Sequence, residues 1–162
     1  MKASAFLPRS RSKILFVLVM ASYALAATVT LRTIVAAFGA PRPPIGVFLE
    51  RGHPILEVIS LVVLAPIIES LVLIGMTEFL RWLRSPTWLQ LIFPATVSAG
   101  LHAPVSHALV VAPAWFIMAA GYLIWRRASW KIGFVVIASI HALLNLNGAI
   151  WTISYAIHHA QA

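Results

Sequence analysis

The sequence predicts an all-α fold: a polytopic transmembrane helix bundle of about five spans, N-terminus inside and C-terminus outside, forming a single integral-membrane domain over residues 1–162. Three observations predict it. The chain is 61% hydrophobic and only 10% charged, against about 25% charged in an ordinary soluble domain, and its mean hydropathy is +0.94. The apolar residues fall into runs long enough to cross a hydrocarbon core, which takes ~20 helical residues. The basic residues, which set the net charge of +8, sit in short clusters between those runs. That pattern reads as topology and lipid-headgroup contact rather than nucleic-acid binding.

The elements follow in order. Residues 1–13 carry Lys2, Arg9, Arg11 and Lys13, a positive flank. The first apolar run, 14–38, is interrupted only by Arg32. A basic flank, an apolar stretch and Ala24-Leu25-Ala26 also fit a signal peptide, but the run continues past that point, so an uncleaved first span or signal anchor is expected. Residues 39–54, rich in Pro and Gly, form a loop with Arg42 and Arg51. Residues 55–157 hold four further helices. The second span, 55–80, ends at Arg81 and Arg84 and is broken by Ser85-Pro86. The third, 87–103, meets Pro104, and a polar turn at Ser106-His107 follows. The fourth, 108–125, has Pro113 as a kink and closes at Arg126, Arg127 and Lys131. The fifth is 132–157.

Nine of the twelve Lys and Arg residues then fall on one side: Lys2, Arg9, Arg11, Lys13, Arg81, Arg84, Arg126, Arg127 and Lys131. The positive-inside rule makes that side cytoplasmic. Trp82, Trp88, Trp125 and Trp130 cluster at the same boundary, as an aromatic belt does. With no Cys, disulfides and thiolate metal sites are excluded.

Against this background Glu69 stands out. It lies inside the second span, in Ala65-Pro66-Ile67-Ile68-Glu69-Ser70-Leu71. A charge near mid-membrane costs at least ~2.5–3.5 kcal/mol, and such residues usually face the bundle interior and mark function. At ~1.5 Å per helical residue, Glu69 is roughly 18 Å from Arg81, His102 roughly 21 Å from Trp88, His141 roughly 15 Å from Lys131 and Asn145 roughly 21 Å from it. Three helices thus bring their most polar side chains to one layer, and His141 and Asn145, four apart, share a helix face.

A carboxylate and an imidazole held together can take a proton from water and deliver it to a leaving amine. A second imidazole and an amide N–H can donate to a developing oxyanion. The same Glu, two His and Asn also form an oxygen/nitrogen shell that zinc accepts. The spacing does not decide between these, and an HExxH helix is absent.

Pro66-x-x-Glu69, Leu101-His102 and His141-x-x-x-Asn145 together resemble the CPBP family of intramembrane proteases, the CAAX-processing and bacteriocin-processing (Abi) group, with its signatures EExxxR, FxxxH and HxxxN/B. The resemblance covers residues 60–150. His141 and Asn145 meet the third signature in full. His102 keeps the second, with Ser98 at its Phe position. Glu69 keeps the first, with Ser70 for the second Glu and Ile74 for the Arg. The resemblance implies peptide-bond cleavage in or beside the membrane, with Glu69 as general base on water, His102 assisting, and His141 and Asn145 as the oxyanion site. It implies a catalytic core over 55–157. It favours a glutamic mechanism without a cofactor over a zinc one, and a membrane-anchored or lipidated protein or peptide as partner, with prenylated CAAX substrates as a family association. A prokaryotic plasma membrane is the expected location.

Structural readings stand beside these. A protonated Glu69 can bond a neighbouring helix, His102 before Pro104 suits a helix cap, and His141 with Asn145 suits interhelical hydrogen bonding. Ser70, Ser98 and Ser139 read as small packing residues. Glu57 suits the first turn of its helix, and Glu78 pairs with Arg81 three residues on. His53, His107, His158 and His159 read as solvated loop and tail residues. The rival functions are an inactive scaffold gripping transmembrane helices and a proton-coupled carrier using Glu69 and the histidines. The absence of an internal repeat argues against the carrier.

Overall fold

A computed structural model describes residues 12–38, 54–102 and 104–159, without the side chains of residues 54, 55, 57, 151, 152 and 154–159. The loop with Arg42 and Arg51, His53, and the side chains of Glu57, His158 and His159 lie outside the described residues. Among those described, the structure is entirely helical: α1 (Lys13–Ala37), α2 (Pro54–Ile59), a π-helical segment (Ser60–Leu64), α3 (Ala65–Trp82), α4 (Thr87–Gly100), α5 (Val105–Trp125) and α6 (Trp130–His159).

Four stretches are long and apolar enough to cross a membrane: Lys13–Ala37, Ser60–Trp82, Val105–Trp125 and Trp130–Ile150. The remaining helix, α4, has 14 residues and is roughly 21 Å long at 1.5 Å per residue. It stops three residues short of the expected 103. Pro104 explains this, because it has no N–H and its ring would strike the carbonyl one turn back. The same Pro opens α5. His107 and Ala108 donate their backbone N–H groups to the Pro104 carbonyl at 2.8 and 3.1 Å. Ser106 and His107 are therefore in the first turn of α5, not in the polar turn the sequence suggests.

The helix ends share one basic face. Phe16 near the start of α1 meets Trp125 at the end of α5, edge to face with ring centroids 5.5 Å apart. Glu78 near the end of α3 binds Arg126, which caps α5. Since α3 and α5 both finish there, α4 between them runs the opposite way. Lys13, Arg81, Arg84, Arg126, Arg127 and Lys131 all belong to this end, the one the positive-inside rule makes cytoplasmic. The α3 terminus is sealed by a Schellman turn: Ser85 N–H donates to the Leu80 carbonyl and Arg84 N–H to that of Arg81. Arg84 takes the left-handed conformation (φ 55°) usual at this position.

Burial follows helical spacing. On α3, Pro66, Ser70, Leu73, Ile74, Thr77 and Leu80 face inward, spaced three or four apart as one helix stripe requires. Phe16, Met118, Tyr122, Ile137 and Ile140 fill the centre. Small residues let backbones approach, as in other membrane bundles: at Gly133 an added Cβ would meet the Tyr122 ring at 2.8 Å. Ile68, Phe79, Leu101 and Val105 are exposed, the outward face a lipid solvent asks for.

The long helix 54–82 changes register just before Pro66. Ala65 N–H, which in an α-helix donates to residue 61, donates instead to the Ser60 carbonyl. In the wider π register the Leu61 carbonyl awaits the N–H of residue 66, and proline has none. Leu61 is left with an orphaned carbonyl in mid-helix. Asn145 on α6 supplies the donor, its side-chain amide lying 2.8 Å from the Leu61 oxygen.

Candidate functional site

Three of the four sequence-predicted residues meet on one atom. Glu69 Oε2 lies 3.5 Å from His141 Nε2 and 3.8 Å from His102 Nε2. Each is brought by a different helix: Glu69 by the middle of α3, His141 by α6, and His102 by the turn that ends α4. His141 is almost buried, with 7% of its side chain exposed, whereas 36% of the Glu69 side chain is accessible. Oε2 itself is buried and makes no hydrogen bond, and the same is true of His141 Nδ1. Separations of 3.5 Å and more are beyond hydrogen-bond length, so the three side chains approach one another without a direct bond.

The end of α4 fixes the His102 tautomer. His102 N–H bonds to Ala99, leaving the Ser98 carbonyl without its helical donor. The imidazole takes that place, with Nδ1 2.8 Å from the Ser98 oxygen. A carbonyl can only accept, so Nδ1 carries the proton. Nε2 then faces Glu69 with a lone pair, and the two attract only when one proton lies between them. The His102 ring therefore serves both as helix cap and as partner of Glu69.

Asn145 stands apart from this cluster. It lies one turn beyond His141, and one amide hydrogen is committed to Leu61, leaving the second for any other acceptor. Ser70 and Ile74, at the positions of the second Glu and the Arg in the family signature, are buried. The Ser70 hydroxyl makes no hydrogen bond. Ser98, at the position of the signature Phe, is buried too and contributes its carbonyl to the His102 ring.

Two further residues belong to the site. Trp115 on α5 is 3% exposed. Its ring stands edge to face with His141 (centroids 5.1 Å, 76°) and tilts against His102 at 5.6 Å. It packs both imidazoles against the bundle core, of which it is part. The depth count contains this signal, since Trp115 is eleven residues from Arg126 and thus roughly 16 Å deep, in the Glu69 layer. His107, expected as a solvated loop residue, is half-buried with its ring centroid 5.9 Å from that of His102. The early start of α5 puts it there. Among the described residues no group of three or more His, Cys, Asp or Glu side chains is arranged to hold a metal ion.

A second polar cluster lies at the basic face. Glu78 accepts from Arg126 through Nε and, at 2.9 Å, through Nη2, from the Tyr122 hydroxyl at 2.7 Å and from Arg81 Nη1 at 3.3 Å. The expected Glu78–Arg81 pair is present, but Arg126 makes the bidentate contact. The sequence gives no sign of this, since Tyr122 and Arg126 are more than forty residues away.

Fold and site together define an all-helical integral-membrane protein with a Glu/His/His cluster inside the bundle. No family model matches the chain, and no curated protein or solved structure matches it either.

Proposed function

We propose that the chain is an intramembrane endopeptidase of the CPBP type, hydrolysing a peptide bond in a membrane-anchored or lipidated protein. The observation that carries this reading is the approach of two imidazoles to a single Glu69 oxygen, one of them with its tautomer fixed. Apolar residues exposed next to Glu69 and His102, such as Ile68 and Leu101, suit sideways entry of a helical or lipidated substrate.

In the proposed reaction Glu69 takes a proton from water as its oxygen attacks the scissile carbonyl carbon. The tetrahedral oxyanion is met by His141 and by the free amide hydrogen of Asn145, donors of the kind that contribute most to such reactions. The proton passes through the Glu69–His102 pair to the amine nitrogen as the C–N bond breaks, leaving one new carboxylic acid and one new amine, which ionise to carboxylate and ammonium. Trp115 holds both imidazoles in place. A prokaryotic plasma membrane, and a CAAX-type or C-terminal sorting segment as substrate, are part of the same proposal.

Two observations favour a second reading, an inactive scaffold that grips transmembrane helices. The Asn145 amide is engaged by Leu61, and the positions of the second signature Glu and Arg are buried Ser70 and Ile74. Reconstitution with membrane-protein extract separates the two. An endopeptidase generates new N-termini in or beside apolar segments, and Glu69→Gln abolishes them. A scaffold generates none and still co-purifies with transmembrane helices after Glu69→Gln.

A further inference from the structure

We propose that the groove between α1 and α6 at the basic face binds one anionic glycerophospholipid, independently of the peptidase reading. The groove encloses about 460 Å³ and is lined by Lys13, Val17 and Leu18 of α1 and by Lys131, Val135 and Ser139 of α6, among others. This volume is in the range of cavities that hold small molecules. No acidic residue lines it.

The lining is sorted by depth. Lys13 is the first residue of α1 and Lys131 the second of α6, so both lysines belong to the end of the groove at the basic face. From Lys131 to Ser139 the groove runs roughly 12 Å into the apolar layer, at 1.5 Å per residue. Among the described residues neither lysine has an ion-pair partner; Lys131 Nζ lies 5.9 Å from the centroid of its neighbour Trp130. Two unpaired cations over an apolar slot at the cytoplasmic edge match a phosphodiester carrying an acyl chain, and basic pockets between transmembrane helices on this side commonly take such headgroups. A second copy of the chain fits less well, because it would bring more lysines to the same mouth.

The test uses the delipidated full-length protein in detergent, titrated with dioleoylphosphatidylglycerol or dioleoylphosphatidylcholine and followed by native mass spectrometry. The two lipids share their chains and differ in headgroup charge. The expected result is binding of the anionic lipid at least tenfold tighter than the zwitterionic one. A lysine near the membrane surface is worth roughly fivefold in affinity, so K13Q/K131Q is expected to lose roughly 25-fold. K13R/K131R retains binding. Val135→Trp, which fills the slot and leaves both charges, loses it. Arg84→Gln, a charge lost elsewhere on the same face, changes nothing, and the melting temperatures of the lipid-free variants show that they remain folded.

Equal affinity for both lipids overturns the proposal, as does wild-type binding by K13Q/K131Q or by Val135→Trp. Inorganic phosphate that displaces the lipid at equal concentration identifies a free-anion site instead. A lipid-independent dimer dissociated by Val135→Trp identifies a second copy as the occupant.

Discussion

The Asn145 side-chain amide donates to the Leu61 backbone carbonyl at 2.8 Å, joining α6 to the π-helical segment. The bond exists because Pro66 has no N–H to give and Ala65 has turned to Ser60. The Asn one turn beyond His141 thereby stabilises the helix that carries Glu69.

The first prediction concerns that bond. Asn145→Ala leaves the Leu61 carbonyl unsatisfied in an apolar layer, at a cost of about 1–3 kcal/mol. Pro66→Ala restores an N–H to the helix. The cost of Asn145→Ala is therefore expected to fall markedly when Pro66→Ala is already present, a coupling that a double-mutant cycle on chemical or thermal unfolding in detergent measures. Additive costs would show that the proline does not create the need for the amide.

Glu78 supplies the second. Its carboxylate accepts from Arg126, Tyr122 and Arg81, so Glu78→Ala leaves two guanidinium groups and a hydroxyl to find water at the membrane edge. Hydrogen bonds to charged groups are worth about 1.5–3 kcal/mol each when buried. With about a third of this side chain exposed, the expected loss is about 2 kcal/mol in all. Arg81→Ala should cost well under half of that, because Arg126 holds the carboxylate in the bidentate geometry. Thermal unfolding of the two variants side by side checks the order.

Gly133 gives the third. A methyl group there would lie 2.8 Å from a Tyr122 ring carbon, and that ring is pinned by its hydroxyl on Glu78. Gly133→Ala is expected to destabilise by about 1–3 kcal/mol, as overpacking does. Gly121→Ala meets its neighbours at ordinary contact distances of 3.6 Å and beyond and is expected to be tolerated. Equal melting temperatures for the two would contradict the packing described.

Trp115 is the fourth. Its ring packs against both imidazoles. In the peptidase reading, Trp115→Ala lowers kcat at least tenfold with little change in KM, while Trp115→Phe, which keeps a ring edge for His141, recovers most of the rate. Loss of kcat equal in both variants would remove Trp115 from a positioning role.

Much of this was legible in the chain. Helix count and polarity follow from apolar run length and the clustering of Lys and Arg, both of which a bilayer forces. Glu69, His102 and His141 could be brought together by counting residues from the basic edge, because rise per residue turns sequence distance into depth. The count fails where the backbone leaves the α register. It carries no information on the π segment, so it could not show that Asn145 bonds Leu61. It also places His107 in a turn, because a proline ends one helix and opens the next with equal ease, and spacing alone does not show that Pro104 does both. The Glu78–Tyr122–Arg126 cluster depends on how α3 and α5 are rotated, which hydropathy does not encode.

The most direct test of the central claim is cleavage by the purified protein, reconstituted in liposomes with bacterial membrane-protein extract and read as new N-termini by mass spectrometry. New termini are expected within or next to apolar segments, with a fall of about 10²–10⁴ in their rate of appearance for Glu69→Gln, the range lost with a general base. Removal of metal by chelation is expected to leave the wild-type rate unchanged. Wild-type protein that produces no such termini, or Glu69→Gln protein that produces them at the wild-type rate, would contradict that claim.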